Sequence, residues 1–129
     1  MKKIKGILVL VVLFSIFSTC KKSNQNIKEA EVQELELLKQ DIINDSESVT
    51  CENALDWQLV ALGTKPCGGP MMYIAYSNKI DQNVFLHKVA EYNAKSKAFN
   101  EKWDAFSDCI IIGPPKGIAC VNGKPYFIM

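Results

Sequence analysis

Arginine is missing from this sequence: all fifteen basic residues are lysines. Without a guanidinium fork or a basic stripe, the chain is poorly equipped to read phosphate backbones and base edges, and no nucleic-acid partner is expected. Histidine is nearly missing too, His87 being the single example. One imidazole and no C-x-x-C pair leave little from which to build a zinc centre or a thioredoxin-like site. No glycine-rich phosphate loop follows a strand and opens a helix, so Gly68-Gly69 is read as turn chemistry. Neither a metal, a cofactor nor a catalytic residue is therefore expected, and His87 reads as a surface or boundary residue. The carboxylates Asp56, Asp104 and Asp108 offer acid–base pairings only on paper. Asp108, just before a cysteine, is more simply a turn former.

No apolar run reaches the ~20 residues of a membrane-spanning helix, but a shorter one opens the chain. Met1-Lys2-Lys3-Ile4-Lys5 is a positive segment, and residues 7–17 are apolar except for Ser15. Small Ser18 and Thr19 follow, then Cys20, then polar Lys21-Lys22-Ser23-Asn24. The order is that of an export signal. It resembles a lipobox, in which the cysteine thiol receives diacylglycerol before cleavage ahead of it. Phe17 stands where Leu is commonest, and Thr19 where Gly, Ala or Ser is usual. This relaxed form is similar to lipoproteins of the Bacteroidota. Residues 1–19 are thus read as a lipoprotein signal peptide, and Cys20 as the lipidated N-terminus that anchors the chain to a bilayer. Acylation with two or three chains, palmitate among them, at ~0.8 kcal/mol per buried CH₂ makes such an anchor lasting. No Asp follows Cys20, which by analogy with Gram-negative sorting implies the outer membrane, with the membrane face left open.

From Cys20 onward the chain has 12 Lys against 14 acids. Eight of those acids lie in residues 27–52. Residues 20–26 read as lipidated cysteine and flexible tether. Residues 27–50 read as an acidic helix and loop, with Val32, Leu35, Leu38 and Ile42 at helical spacing on one face. Residues 51–129 read as a compact domain. Within it, residues 56–63 tilt towards a strand, residues 64–70 are a turn with two prolines and two glycines, and residues 71–76 form a second strand. Asp81 is positioned to cap a long helix. Phe85, Val89, Tyr92, Ser96, Phe99, Trp103 and Phe106 follow at steps of four and three, a stripe expected to be buried. Lys88, Lys95, Lys97 and Lys102 fall on the solvated side. A short β-branched run at 109–112 is expected to pair with residues 118–121 across Pro114-Pro115. Asn122-Gly123 then marks a hairpin into the last strand, which Pro125 confines to an edge. No internal repeat or low-complexity tract is present. The expected fold is α+β: a small, mostly antiparallel sheet under one long amphipathic helix, with an additional N-terminal helix and two disulfides.

Five cysteines are an odd number; removing Cys20 for lipid leaves Cys51, Cys67, Cys109 and Cys120 to pair in an oxidising compartment. Three pairings are open. A hairpin joining 109–112 to 117–121 would set Cys109 opposite Cys120, leaving Cys51 to Cys67. A straight strand between those two opposes this, since seven residues span ~23 Å.

The pattern from Trp57 through Lys65-Pro66-Cys67-Gly68-Gly69-Pro70 to Tyr73 and Tyr76-Ser77, then Phe99-Asn100, Trp103 and Ser107-Asp108-Cys109, resembles a group of small bacterial secreted or lipid-anchored proteins without an assigned activity. The resemblance covers most of residues 51–121. It implies one compact exported domain and brings no catalytic residues with it. The function expected is therefore non-enzymatic: a membrane-anchored binding module of the cell envelope with an envelope or secreted protein as partner. Its contact surface would be Pro66, Gly68, Gly69, Pro70, Tyr73 and Tyr76. The alternative is an inhibitor of a secreted hydrolase (a protease or lysozyme) presenting the 66–70 loop.

Overall fold

The structure, a computed structural model, describes residues 17–129, with side chains from Ser23 onward. The export segment before residue 17 and the Cys20 side chain lie outside the described residues. Helix α1 spans Phe17–Ser46, so residues 20–26 are helical where a flexible tether was expected. The reason is local: no glycine or proline interrupts those thirty residues, and Lys, Gln, Glu and Leu all favour a helix. The chain divides into two compact units at Gln33. In the first, Ile27 and Val32 are exposed.

The second unit, Glu34–Met129, has three layers around a two-stranded sheet. Strands β1 (Trp57–Thr64) and β2 (Pro70–Ser77) are antiparallel, with Ala61 opposite Tyr73 and Leu59 opposite Ala75. Both strands carry apolar residues on both faces, and both faces are covered. Val60, Leu62, Ile74 and Tyr76 meet Ile42 of α1 and Phe85, Val89 and Tyr92 of helix α2 (Gln82–Trp103). Leu35 and Leu38, on the face read from sequence, pack against the same core. On the other face, Trp57, Leu59 and Ala75 meet Val49, Cys51, Ile118, Cys120 and Phe127.

The last three of those belong to a second, separate sheet of strands β3 (Gly117–Val121) and β4 (Lys124–Ile128). Its turn has positive φ at both Asn122 and Gly123 (51° and 76°), the geometry of a type I′ hairpin. Residues 109–112, expected as a strand, are irregular. Asp108 accepts the Ile110 N–H in a local turn, Cys109 adopts φ 56°, and Pro114-Pro115 denies donors to any ladder. The single expected sheet is therefore two small ones.

Helix α2 begins as read, with the Asp81 carboxylate accepting the Val84 N–H at 3.1 Å. It ends sooner than the aromatic stripe implied: Asp104 takes a left-handed conformation (φ 46°), so Phe106 lies beyond the helix and is 97% exposed. Phe99 and Trp103 are only half-buried. Polar residues on α2 meet the outer edge of β1 between Ala61 and Thr64. Asn93 accepts the Gly63 N–H at 2.6 Å and donates to the Ala61 carbonyl at 3.2 Å. Ser96 accepts the Thr64 N–H, and Asn100 donates to the Thr64 carbonyl at 2.6 Å. The helix thus completes hydrogen bonds that a third strand would otherwise supply. Gly63 is needed here, since its φ is +75° and a Cβ would meet the Met71 sulfur at 2.7 Å.

Two lysines placed on the solvated side of α2 turn out to be partnered. Lys88 donates to Asp41 at 2.6 Å and Asp45 at 2.7 Å, and Lys95 pairs with Glu34 and with Glu91. Three acids of α1, Glu34, Asp41 and Asp45, are thus matched to lysines of α2. Hydrogen bonds donated to Asp41 and then Asp45 hold the Lys88 ammonium above its ordinary value of 10.5. A raised folded-state value stabilises fully below the unfolded value and fades as pH rises through the folded one. Burial raises the Tyr92 phenol above 10.0, which also disfavours the folded state once unfolded Tyr92 ionises. Lys88→Ala should cost about 1 kcal/mol at neutral pH. Urea denaturation series should show that gap closing above pH 10.5 while both proteins lose stability; a gap independent of pH would refute the charge assignment.

Candidate functional site

The turn between β1 and β2 is built from its own backbone. Lys65 N–H donates to the Gly69 carbonyl and Gly68 N–H to the Lys65 carbonyl, both at 2.9 Å, with Gly68 and Gly69 at φ 90° and 79°. Only glycine takes those angles cheaply, which fixes the turn. Pro66, Cys67, Gly68 and Gly69 are all exposed.

Cys67 of this turn is bonded to Cys109, with Cα atoms 5.7 Å apart, and Cys51 is bonded to Cys120, with Cα atoms 5.3 Å apart. Two disulfides form, but not in the pairing favoured from sequence, Cys51–Cys67 with Cys109–Cys120. That pairing needed a 109–112 strand beside β3. β3 pairs with β4 instead, and straight β1 separates Cys51 from Cys67. The two bridges differ in setting: Cys51 is 3% exposed, whereas Cys67 and Cys109 both face solvent.

The Cys67–Cys109 bridge fastens residues 105–112 against the turn, and a second tie runs beside it. Lys65 Nζ donates to the Ile110 carbonyl at 2.6 Å and lies 3.6 Å from the Asp108 carboxylate. The Ile110 N–H, followed by Lys65 and Ser107, holds the Asp108 carboxyl below its usual value. A groove of about 460 Å³ lies between turn and segment. On this segment Phe106, Ile110 and Ile111 are 97%, 62% and 93% exposed. Three large apolar side chains are thus held in solvent on a doubly tied segment.

The residues proposed from sequence as a contact surface do not stay together. Pro66, Gly68, Gly69 and Pro70 lie on the turn beside the groove. Tyr76 is 4% exposed, stacks on Phe85 with ring centroids 4.9 Å apart, and donates its hydroxyl to Gln58 at 2.8 Å. It is a core residue. Tyr73 lines a different cleft, beside the β3–β4 hairpin. Phe106, Ile110 and Ile111 were missed because helical spacing and β-branching assigned them to a buried stripe and a strand. The signal against the second assignment was Pro114-Pro115, which ends a strand; the exit of α2 at Asp104 left no such mark.

The remaining titratable groups are dispersed. His87 is exposed on α2, Asp56 pairs with Lys79 at 3.3 Å, and Asp108 faces Lys65. Among the described residues no three of His, Cys, Asp or Glu gather as metal ligands would, and no helix is long and apolar enough to cross a membrane. No family model matches the chain, and no curated protein or solved structure does so either.

Proposed function

We propose that the protein is a lipid-anchored, non-enzymatic binding module of the cell envelope, held to the outer membrane through acylated Cys20. It recognises an envelope or secreted protein with the surface formed by the 66–70 turn and residues 105–112. The observation that carries the binding reading is the exposure of Phe106, Ile110 and Ile111 on a segment tied twice to the turn. Exposed apolar groups cost solubility, and pre-ordering them by a cross-link lowers the entropy lost on binding. The anchor rests on the positive segment, the apolar run, the small residues before Cys20 and the even cysteine count left behind it.

Two measurements test these parts separately. Metabolic labelling with a palmitate analogue should mark the wild type and spare Cys20→Ala; label retained on that variant would remove the anchor from the proposal. Phe106→Ser with Ile111→Ser should leave thermal stability within about 0.5 kcal/mol, because neither side chain is buried. The same change should abolish capture of the partner from solubilised envelopes. Undiminished capture by the double variant would contradict the surface assignment. Running the pair against a panel of secreted proteases and lysozymes distinguishes a hydrolase as the partner from another envelope protein.

A further inference from the structure

The cleft beside the β3–β4 hairpin takes no part in the surface described above. It holds about 570 Å³ and lies between the end of α1, the edge of β2 and the hairpin. Those walls are fixed to one another. Cys51, in the loop after α1, is bonded to Cys120 of β3 and donates its N–H to the Gly123 carbonyl at 2.8 Å. A Cβ at Gly123 would stand 3.1 Å from the Thr50 methyl, so the hairpin tip sits close against that loop. The space is formed before anything enters it, and its volume is that of a ligand site.

Inside it, one residue offers main-chain groups. Ala61 turns its carbonyl away from β2 to meet Asn93, and directly opposed residues of an antiparallel ladder share that sense. Tyr73, opposite Ala61, therefore points its N–H and C=O out of the sheet edge into the cleft. Among the described residues no hydrogen bond meets them. The reach stops there. Ala75, the next residue of that sense, is 4% exposed and packed in the cluster of Val49, Trp57 and Phe127. On the other side, Met71 does not line the cleft. Around Tyr73 the lining is mostly apolar, with two charges: Glu47 on the α1 wall and Lys124 on the hairpin wall. Both are exposed, and neither is in an ion pair among the described residues. Glu47 sits just past the C-terminal end of α1, where the helix dipole adds negative character.

We propose that this cleft binds a free tripeptide with an apolar middle residue. The N–H and C=O of that residue pair with the C=O and N–H of Tyr73, the one main-chain pairing within reach. Its side chain takes the apolar lining, the ammonium end goes to Glu47, and the carboxylate end goes to Lys124. Each polar group of the ligand thereby meets a group that lacks a partner in the free protein, which fixes orientation as well as affinity. A longer peptide gains no further main-chain bond, because Ala75 is buried. The site is separate from the 66–70 and 105–112 surface, and either can fail without the other.

The test is isothermal titration of the purified full-length protein with Ala-Leu-Ala, free at both ends. Binding should saturate at one peptide per chain. Glu47→Gln should weaken it about threefold and leave binding of the N-acetyl peptide unchanged. Lys124→Gln should weaken it about threefold and leave binding of the C-terminal amide unchanged. Both side chains are exposed, so neither substitution disturbs the core. Methylating the nitrogen of the middle residue removes the donor to Tyr73 and should cost about tenfold. Extending the peptide by two alanines at each end should not tighten it. Absence of saturable binding, equal binding of the N-methyl peptide, or losses in the two variants that persist with blocked ends would overturn the proposal. Affinity that rises with peptide length would also overturn it, since the ligand would then be held by more than Tyr73.

Discussion

Phe85→Ala is expected to destabilise the protein by about 3–5 kcal/mol. Phe85 is 1% exposed and stands where α2 meets the three other elements of the main core: it stacks on Tyr76 of β2 and shares its cluster with Ile42 of α1 and Leu62 of β1. Truncation removes the transfer free energy of the ring and opens a cavity between helices and sheet that two-stranded β1–β2 is too small to collapse around. A domain of this size has about 5–10 kcal/mol in total, so the variant should melt far below the wild type. Trp103→Ala is the informative comparison. Trp103 is half-buried at the last turn of α2 and contacts Phe99 with ring centroids 6.4 Å apart. Its loss should cost less than half as much, and equal costs would show that the aromatic stripe is buried along its whole length.

Removing the Cys51–Cys120 bridge, by Cys51→Ser with Cys120→Ser, is the second large effect, about 4 kcal/mol. The two cysteines are 69 residues apart, so the cross-link removes much of the unfolded chain's freedom. In the folded state both ends are held anyway: Cys51 N–H donates to the Gly123 carbonyl at 2.8 Å, and the pair packs on Trp57. The whole unfolded-state term therefore appears as stability. Cys67–Cys109 closes a 42-residue separation and restricts the unfolded chain nearly as much. Cutting it, however, also frees residues 105–112 in the folded state, and that gain offsets part of the loss. Its removal should cost about half as much or less. Exposure orders the chemistry in the same way. Mild thiol should open Cys67–Cys109 first, leaving the buried bridge intact, as mass spectrometry after alkylation will show. Simultaneous opening would contradict the difference in burial.

The elements were legible where local chemistry and tertiary environment agree. Asp81 capped α2, Asn122-Gly123 turned the last hairpin, and the prolines and glycines of residues 64–70 marked the first. Alternation along residues 57–62 was harder to read because both faces of β1 are buried, so it shows no polar side. What failed was assignment across the end of an element. Phe106 keeps the four-three spacing of α2 after the backbone has left the helix at Asp104, and periodicity carries no mark of that exit. Cys109-Ile110-Ile111-Ile112 has strand composition without a partner to pair with. The disulfide connectivity followed from that error, since it was inferred from a ladder that does not form. The split of the candidate contact residues has a similar cause. Tyr73 and Tyr76 are three apart on one strand, so they face opposite sides of the sheet, and only one of them meets α2.

The central claim is that residues 105–112, fastened to the 66–70 turn, are the face this protein presents to its partner. Photo-crosslinking in intact cells tests it most directly, with a photoreactive amino acid placed at Ile111 in one strain and at Lys97, on the exposed side of α2, in another. The proposal predicts one discrete protein adduct from position 111, absent from position 97 and lost when Cys67 and Cys109 are both replaced by Ser. No adduct at 111, or the same adducts from both positions, would contradict it.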